Sequence, residues 1–441
     1  MYTFTLLFVY NFLQFLAFIP AILFAFISSS LHHKYQGRIL SRLGLSKNII
    51  LSPNNDDDLV IWIHALSVGE VTSAVPLVRC IYESRPDITV IFSATTSAGR
   101  RIANKCIAPY VTEVIDGPLD FLFTIKRYIH AIRPSLFVLV ETDFWPNWLN
   151  ILHLHGIPTM LVNGRISEKS WKAYTRLRLF FKSMFRTFTL ISMQTKEDSN
   201  KMIKLGVEPN RIAILGNLKY DTALYLQSIP EKITITRNEL GIRKDNQIWI
   251  CGSTHEGEES IIFDAFNKIR TQLPNLLLIL APRNIERSFD ISNMAQSYGL
   301  STAFRSKNDT LLTNNLLLVD TIGELVHLYK FADIAFVGGS LVPQGGHNPL
   351  EPAAYKVPVV FGPHMEDFRE ISNELKHHGG AITVQGVDEL AAIVTRFLQD
   401  KEFHNHASSA AAQLIKDNAG VAVAHLHMIE RMTRSYNSTG S

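Results

Sequence analysis

The sequence predicts an α/β architecture of two doubly wound parallel sheets, and three observations carry that expectation. Short apolar runs alternate with helix-patterned stretches from residue 57 to about 220, and again from 247 onward. The runs are near-continuously apolar, as in Leu59–His64 (LVIWIH), which suits strands buried on both faces. A glycine-rich strand-to-helix switch, Val337–Pro352 (VGGSLVPQGGHNPLEP), has the composition of a turn that lets backbone approach a ligand closely.

At 441 residues the chain exceeds one ordinary core, so two domains and an appendage are expected. A hydrophobic content of 46% excludes a largely disordered protein, and a net charge of +3 lacks the footprint of a nucleic-acid binder. Cys80, Cys106 and Cys251 show no CxxC spacing, which argues against a disulfide framework or a structural zinc site.

The first 31 residues contain no Asp, Glu, Lys, Arg or His, and Phe4–Ile27 is apolar except for Thr5, Tyr10, Asn11, Gln14 and Pro20. His32, His33, Lys34, Arg38, Arg42 and Lys47 follow as a cationic flank. Residues 1–50 therefore read as a membrane-anchoring helix and a basic juxtamembrane segment, with the body of the chain on the cytoplasmic side. Pro20, Asn11 and Gln14 leave a helix lying in the membrane plane as the alternative.

The N-terminal domain is expected over 51–221. Its strands are Leu59–His64, Ile88–Ser93, Ser135–Val140, Thr159–Val162, Thr189–Met193 and Ile212–Leu215, with helices at Gly69–Glu83 and Thr96–Cys106. In such sheets ligands bind beyond the carboxyl ends of the strands, so polar residues there are the candidates. Ser67 and Glu70 follow the first strand. Glu70 is a general-base candidate or an ordinary acid of a helix's first turn, and the turn alone does not separate the two. Glu141 comes straight off an apolar run, Arg165 follows the next strand end, and Lys219 follows the last. Two carboxylates, an arginine and a lysine along one edge suit an anionic, hydroxyl-bearing substrate. Asp56-Asp57-Asp58 resembles a metal-binding acidic cluster but stands beside Pro53-Asn54-Asn55, as solvated loops do.

Charges without a long apolar run mark 222–246 as a linker, and 247–441 as the second domain with three closing helices. Its strands, Ile248–Gly252, Leu276–Leu280, Leu316–Val319, Ile334–Val337 and Val359–Phe361, lead into polar turns. These carry Ser253, then Pro282 and Arg283, then Ile322, Gly323 and Glu324, then Gly338, Gly339 and Ser340. Beyond them, Gly346 and His347 precede a helix for which Asn348 suits the N-cap and Pro349 the first position, with Leu350 and Glu351 in its first turn. Arg283 and that helix N-terminus would face a phosphate, and Glu351 would accept from sugar hydroxyls. Neither a Walker A sequence nor a dinucleotide fingerprint occurs.

Six motifs in order, HALSVGE (64–70), ETDFWPN (141–147), NGRIS (163–167), GNLKYD (216–221), GSTHEGEE (252–259) and FVGGSLVPQGGHNPLEP (336–352), resemble the 3-deoxy-D-manno-octulosonic acid (Kdo) transferases of lipid A assembly. The resemblance spans nearly the whole chain. It implies a GT-B fold, in which two Rossmann-like domains face a cleft, with inverting chemistry and no metal or other cofactor. It also implies CMP-Kdo as donor, a tetraacylated glucosamine disaccharide (the lipid A precursor) as acceptor, and the bacterial inner membrane as location. Residue by residue, Glu70 matches the family's base and Glu141 and Lys219 its transition-state stabilisers. The family's CMP contacts fall on Pro282, Arg283, Ile322, Gly323, Glu324, Asn348, Pro349, Leu350 and Glu351. Ser67, Arg165, Ser253, Gly338, Gly339, Ser340, Gly346 and His347 are further candidates. Leu66, Gly164 and Asn284 depart from the family's usual valine, alanine and histidine.

Overall fold

The computed structural model describes residues 7–16, 36–45, 59–142, 144–228 and 235–439, the side chains of 36, 37 and 435–439 excepted. Asp56–Asp58, Asp143, the cationic flank at 32–34 and 47, and most of the expected anchor segment lie outside them. The chain forms two compact units, residues 1–222 with 420–441 and residues 223–419.

The N-terminal unit holds a seven-stranded sheet: β1 Val60–Ala65, β2 Thr89–Ala94, β3 Glu113–Asp116, β4 Leu136–Val140, β5 Thr159–Gly164, β6 Leu190–Met193 and β7 Ile212–Ile214. All neighbours pair parallel, in the order β3-β2-β1-β4-β5-β6-β7. The order reverses direction between β1 and β4, and that switch point opens a crevice at the strands' carboxyl ends. β1 is buried at all six positions because helices cover both faces. Its Trp62 packs 5.1 Å from Trp148 and 5.0 Å from Phe137, ring centroid to centroid. Ser93 ties the end of β1 to β2: its hydroxyl accepts from Trp62 Nε1 at 2.8 Å and lies 2.7 Å from His64 Nδ1.

The second unit repeats the plan with β8 Gln247–Thr254, β9 Leu276–Pro282, β10 Thr302–Phe304, β11 Leu316–Leu318, β12 Ile334–Val337, β13 Val359–Phe361 and β14 Ala381–Thr383. The parallel order is β10-β11-β9-β8-β12-β13-β14, with the switch point between β8 and β12. Its core is aliphatic and Phe-rich, built on Trp249, Phe263, Phe266 and Phe336.

Three strands escaped the sequence patterns: β3, β10 and β14. Each is three or four residues long and lies at a sheet edge, where one side needs no partner and a short, mixed run suffices. The domain boundary also differs from the expected 247–441. The final helix, Val421–Thr439, packs on Val68–Ser84 in the N-terminal unit. Asp221 caps it, accepting from the N–H groups of Gly420 and Ala422 at 2.6 Å each. The helix Leu218–Ser228 runs through the start of the expected linker.

Residues 7–16 are helical. The polar residues Tyr10, Asn11 and Gln14 face the N-terminal unit. Tyr10 donates to Asp120 at 2.8 Å, and Asn11 exchanges amide hydrogen bonds with Asn147 at 2.9 and 3.0 Å. Gln14 Nε2 donates to the Asp120 carbonyl at 3.2 Å. Phe8, Val9, Phe12, Leu13, Phe15 and Leu16 are exposed. Among the described residues, no helix is long and apolar enough to cross a membrane.

Candidate active site

In the N-terminal unit the expected residues follow four of five adjacent strands, β1, β4, β5 and β7, with β6 between the last two. Ser67 is the N-cap of Val68–Ser84 through its carbonyl, which accepts from Val71 N at 3.0 Å; its hydroxyl makes no capping bond. One turn in, Glu70 is buried and its Oε2 accepts from Leu66 N, which aims the carboxylate back at the end of β1. Across the switch point, Glu141 directly follows β4 with φ at 63° and is also buried. Asn163, the penultimate residue of β5, at φ 57°, donates to Glu141 Oε1 at 3.2 Å. Two neighbouring non-glycine residues in the left-handed region cost energy, and such outliers concentrate at functional sites.

Asn163 is a hub that its sequence pattern did not disclose. Its side-chain oxygen accepts from Leu218 N at 2.9 Å, and its carbonyl accepts from Gln194 Nε2 at 2.9 Å. Gln194 in turn accepts from Asn217 Nδ2, and Asn217 Oδ1 accepts from Lys219 N at 3.0 Å. Neutral amides thus connect Glu141 on β4 to the backbone that presents Lys219 after β7. Arg165 Nε lies 3.9 Å from Glu141 Oε2, on a side chain 42% exposed, so this is a loose, solvent-screened pair. Gly164 has a specific cause here: a Cβ would lie 2.9 Å from Leu161, Met193 and the Ser192 carbonyl. In this chain alanine would not fit there without movement.

In the second unit the backbone donors of the candidates Gly338, Gly339 and Ser340 are already taken: Gly338 N donates to the Gly252 carbonyl at 2.8 Å, and the other two meet an anion of the protein itself. Glu258, fully buried, accepts from Gly339 N at 2.7 Å, Ser340 N at 3.0 Å, Leu341 N at 2.9 Å and His255 N at 2.9 Å. Gly338 is needed for packing, since a Cβ would stand 2.3 Å from the Ser253 carbonyl oxygen. Ser340 Oγ bonds inward, donating to the Val337 carbonyl and accepting from Gly362 N. Glu258 looked like any first-turn acid of a helix, and nothing local distinguished it.

The helix expected from Pro349 begins one residue later and is short, Leu350–Ala354, with Pro349 at its N-cap. Asn348 acts from one position further out: Oδ1 accepts from Leu350 N at 3.2 Å and Nδ2 donates to Glu351 at 3.4 Å. A five-residue helix has little macrodipole, so anion binding here falls mainly to side chains. Burial raises Glu351 to about 7, against the lowering influence of Asn348 and Arg283. Arg283 follows β9; its N–H donates to the Thr254 carbonyl at 2.9 Å and its side chain is exposed. Thr254 Oγ1 is buried without a hydrogen-bond partner. Ser253, preceding it, sits at φ 58°.

After β11, Ile322 is 80% exposed and Gly323 takes φ 94°. Glu324 is committed to Arg305 at 2.8 Å and to the Thr321 hydroxyl at 2.9 Å. Asn284 accepts from Glu286 N at 3.0 Å and shapes the turn after Arg283. Among the described residues, no three His, Cys, Asp or Glu are grouped to hold a metal ion.

Comparisons with known proteins bear on the family and the fold. A family model described as 3-Deoxy-D-manno-octulosonic-acid transferase (kdotransferase) matches residues 37–222, and one described as Glycosyl transferases group 1 matches 237–414. The 3-deoxy-D-manno-octulosonic acid transferase of Haemophilus influenzae is 34% identical over 88% of this chain and 89% of its own. That of Chlamydophila psittaci is 29% identical over 84% of each. Among solved structures, UDP-GlcNAc 2-epimerase from Neisseria meningitidis matches 81% of this chain and 98% of its own, at 12% identity and a TM-score of 0.57. Anabaena HepE in complex with UDP and glucose matches 85% of this chain and all of its own, at 14% identity and a TM-score of 0.54. At those identities the structures show the fold alone, a GT-B-like pair of Rossmann-like domains. By sequence, the chain belongs to the 3-deoxy-D-manno-octulosonic acid transferase family of glycosyltransferases.

Proposed function

We propose that the chain transfers Kdo, with inversion, from CMP-Kdo to the tetraacyldisaccharide lipid A precursor (lipid IVA), releasing CMP in lipopolysaccharide synthesis. The observation that carries this reading is the buried Glu141–Asn163–Leu218 connection at the carboxyl edge of the first sheet. It holds family-matched residues from different motifs in one network.

Glu70 removes the proton from an acceptor hydroxyl, which attacks the anomeric carbon of Kdo. Its burial keeps water from competing for the carboxylate. Glu141 and Lys219 stabilise charge at the sugar as the bond to CMP breaks. The nucleotide belongs to the second unit. Arg283 meets the phosphate, Glu351 accepts from the ribose hydroxyls, and the turn Ile322-Gly323-Glu324 with Pro282 and Leu350 borders the rest. No metal is required in this scheme, because the Arg283 guanidinium takes the phosphate charge; unchanged turnover in excess EDTA is the expected result, and inhibition reversed by Mg²⁺ contradicts it.

The deciding experiment incubates the protein with CMP-Kdo and lipid IVA and weighs the lipid product. A mass increase matching added Kdo supports the reading. The fold neighbours supply a second reading, chemistry on a UDP-sugar such as C2 epimerisation. Turnover of UDP-GlcNAc with none of CMP-Kdo would decide for that alternative.

The helix at 7–16 fits a place at the inner membrane's cytoplasmic face. Its polar residues are bonded to the protein while its aromatic and aliphatic residues point outward. That disposition suits a helix lying in the membrane plane, its apolar face among the acyl chains.

A further inference from the structure

At the second switch point, His255 and His347 approach each other Nε2 to Nε2 at 2.9 Å, with rings 10° from parallel and centroids 5.1 Å apart. His255 follows β8 and His347 precedes the helix Leu350–Ala354, so the tertiary fold alone makes the pair. Both rings lie against Gly339, where a Cβ would come within 3.3 Å of each. Glu258 holds the assembly, bonding His255 N and the turn that carries Gly339. At this separation one ring donates and the other accepts. The contact survives the addition of one proton, which leaves an imidazolium donating to a neutral ring, but not of two.

The groups facing the pair explain its resting state. Burial, Arg283 and the neighbouring ring hold His347 down to about 4. The nearby carboxylates are committed: Glu258 to four N–H groups and Glu351 to Asn348. Without a bound anion the site has cationic Arg283 beside an uncharged His347. A phosphate dianion arriving here reverses that balance, because an opposite charge within about 4–6 Å favours the protonated imidazole.

We propose that His255 and His347 act as a proton-accepting pair in the donor-phosphate site, taking up one proton when a phosphate monoester dianion binds. This rests on the assignment of CMP to these loops. During transfer, the bond between the anomeric carbon and the phosphate oxygen breaks with its electron pair on oxygen. The phosphodiester monoanion thereby becomes a monoester dianion. The acceptor's proton leaves to solvent through Glu70, and the proton the pair takes up from solvent balances it and offsets the added charge. His255 and His347 thus favour departure of CMP over recapture of the sugar.

Calorimetric titration with CMP and with cytidine, at about pH 7.5 where a phosphate monoester is mostly dianionic, tests this in buffers of different ionisation enthalpy. Proton uptake is expected to be greater on CMP binding than on cytidine binding, since cytidine shares the ribose contact with Glu351, itself near 7, but lacks phosphate. In H255Q and H347Q the proton uptake per CMP bound should fall to the cytidine level, whatever their CMP affinity. Equal uptake in wild type and both variants, or CMP binding to wild type with no more uptake than cytidine, overturns the proposal. The wild-type comparison of the two ligands holds even if a variant fails to fold. No CMP binding to wild type would instead overturn the donor-site assignment and this inference with it.

Discussion

The two units place an acid in the same position: the first turn of the helix that follows the strand beside the switch point. Glu70 does so after β1 and Glu258 after β8, and both carboxylates are buried and accept an N–H from their own turn. Their surroundings then diverge. The turn after β12 offers Glu258 three further N–H groups, so the carboxylate becomes a structural anion. The strand facing Glu70 leads instead into another acid, Glu141, backed by the Asn163 amide. The acid proposed as the base and the acid that braces a turn therefore share local geometry, and the strand opposite sets them apart.

The strongest way to break this contrast is to neutralise each acid in turn. E70Q should lower kcat about 10²–10⁴-fold with CMP affinity unchanged, measured by product formation and nucleotide titration. Full turnover in that variant removes Glu70 from the chemistry. E258A should instead act on stability. Stranding four buried N–H groups costs roughly 3–5 kcal/mol, read as a lowered denaturation midpoint of the second unit. A variant as stable as wild type would mean that water or rearrangement satisfies the turn.

A buried histidine sharpens the comparison by pH. In the N-terminal unit burial pulls His425 down to about 4, and its Nε2 has no hydrogen-bond partner. A lowered folded-state value favours the neutral ring, so this stability is present above about 6.5 and is lost as pH falls toward 4. The loss amounts to about 3 kcal/mol at most. Denaturant titrations across that range should show the decline in wild type and a flatter profile in H425L.

Smaller effects probe the supports. N163G keeps the left-handed backbone but removes the amide, and should lower kcat roughly tenfold without moving CMP affinity. F12E with F15E should reduce sedimentation with anionic phospholipid vesicles several-fold and leave the melting temperature within a few degrees. Unchanged vesicle binding would count against the outward face of residues 7–16 as a lipid contact.

Much of the plan was legible because buried parallel strands need apolar residues on both faces. LVIWIH, LFVLV and LLLIL announce central strands for that reason, and polar residues directly after them mark the ligand edge. Short edge strands carry no such demand, and β3, β10 and β14 passed unseen. Glu141 and Lys219 were visible as polar residues at strand ends, whereas Asn163, Gln194 and Asn217 looked like ordinary turn residues. Their roles come from bonds spanning 22 to 55 positions along the chain.

What the sequence determined by itself was therefore the periodic part: two parallel sheets, the strand ends that carry polar residues, and the ordered motifs of a Kdo transferase. Only the tertiary structure decided which N–H groups were already occupied. It filled the glycine turn at Gly338–Ser340 with Glu258, shortened the helix after Asn348, returned the last helix to the N-terminal unit and joined His255 to His347. The physical reason is that apolar burial repeats along the chain with the period of a strand or helix and can be read locally. Pairing of a donor with a distant acceptor has no such period, and exists only once the strands stand side by side.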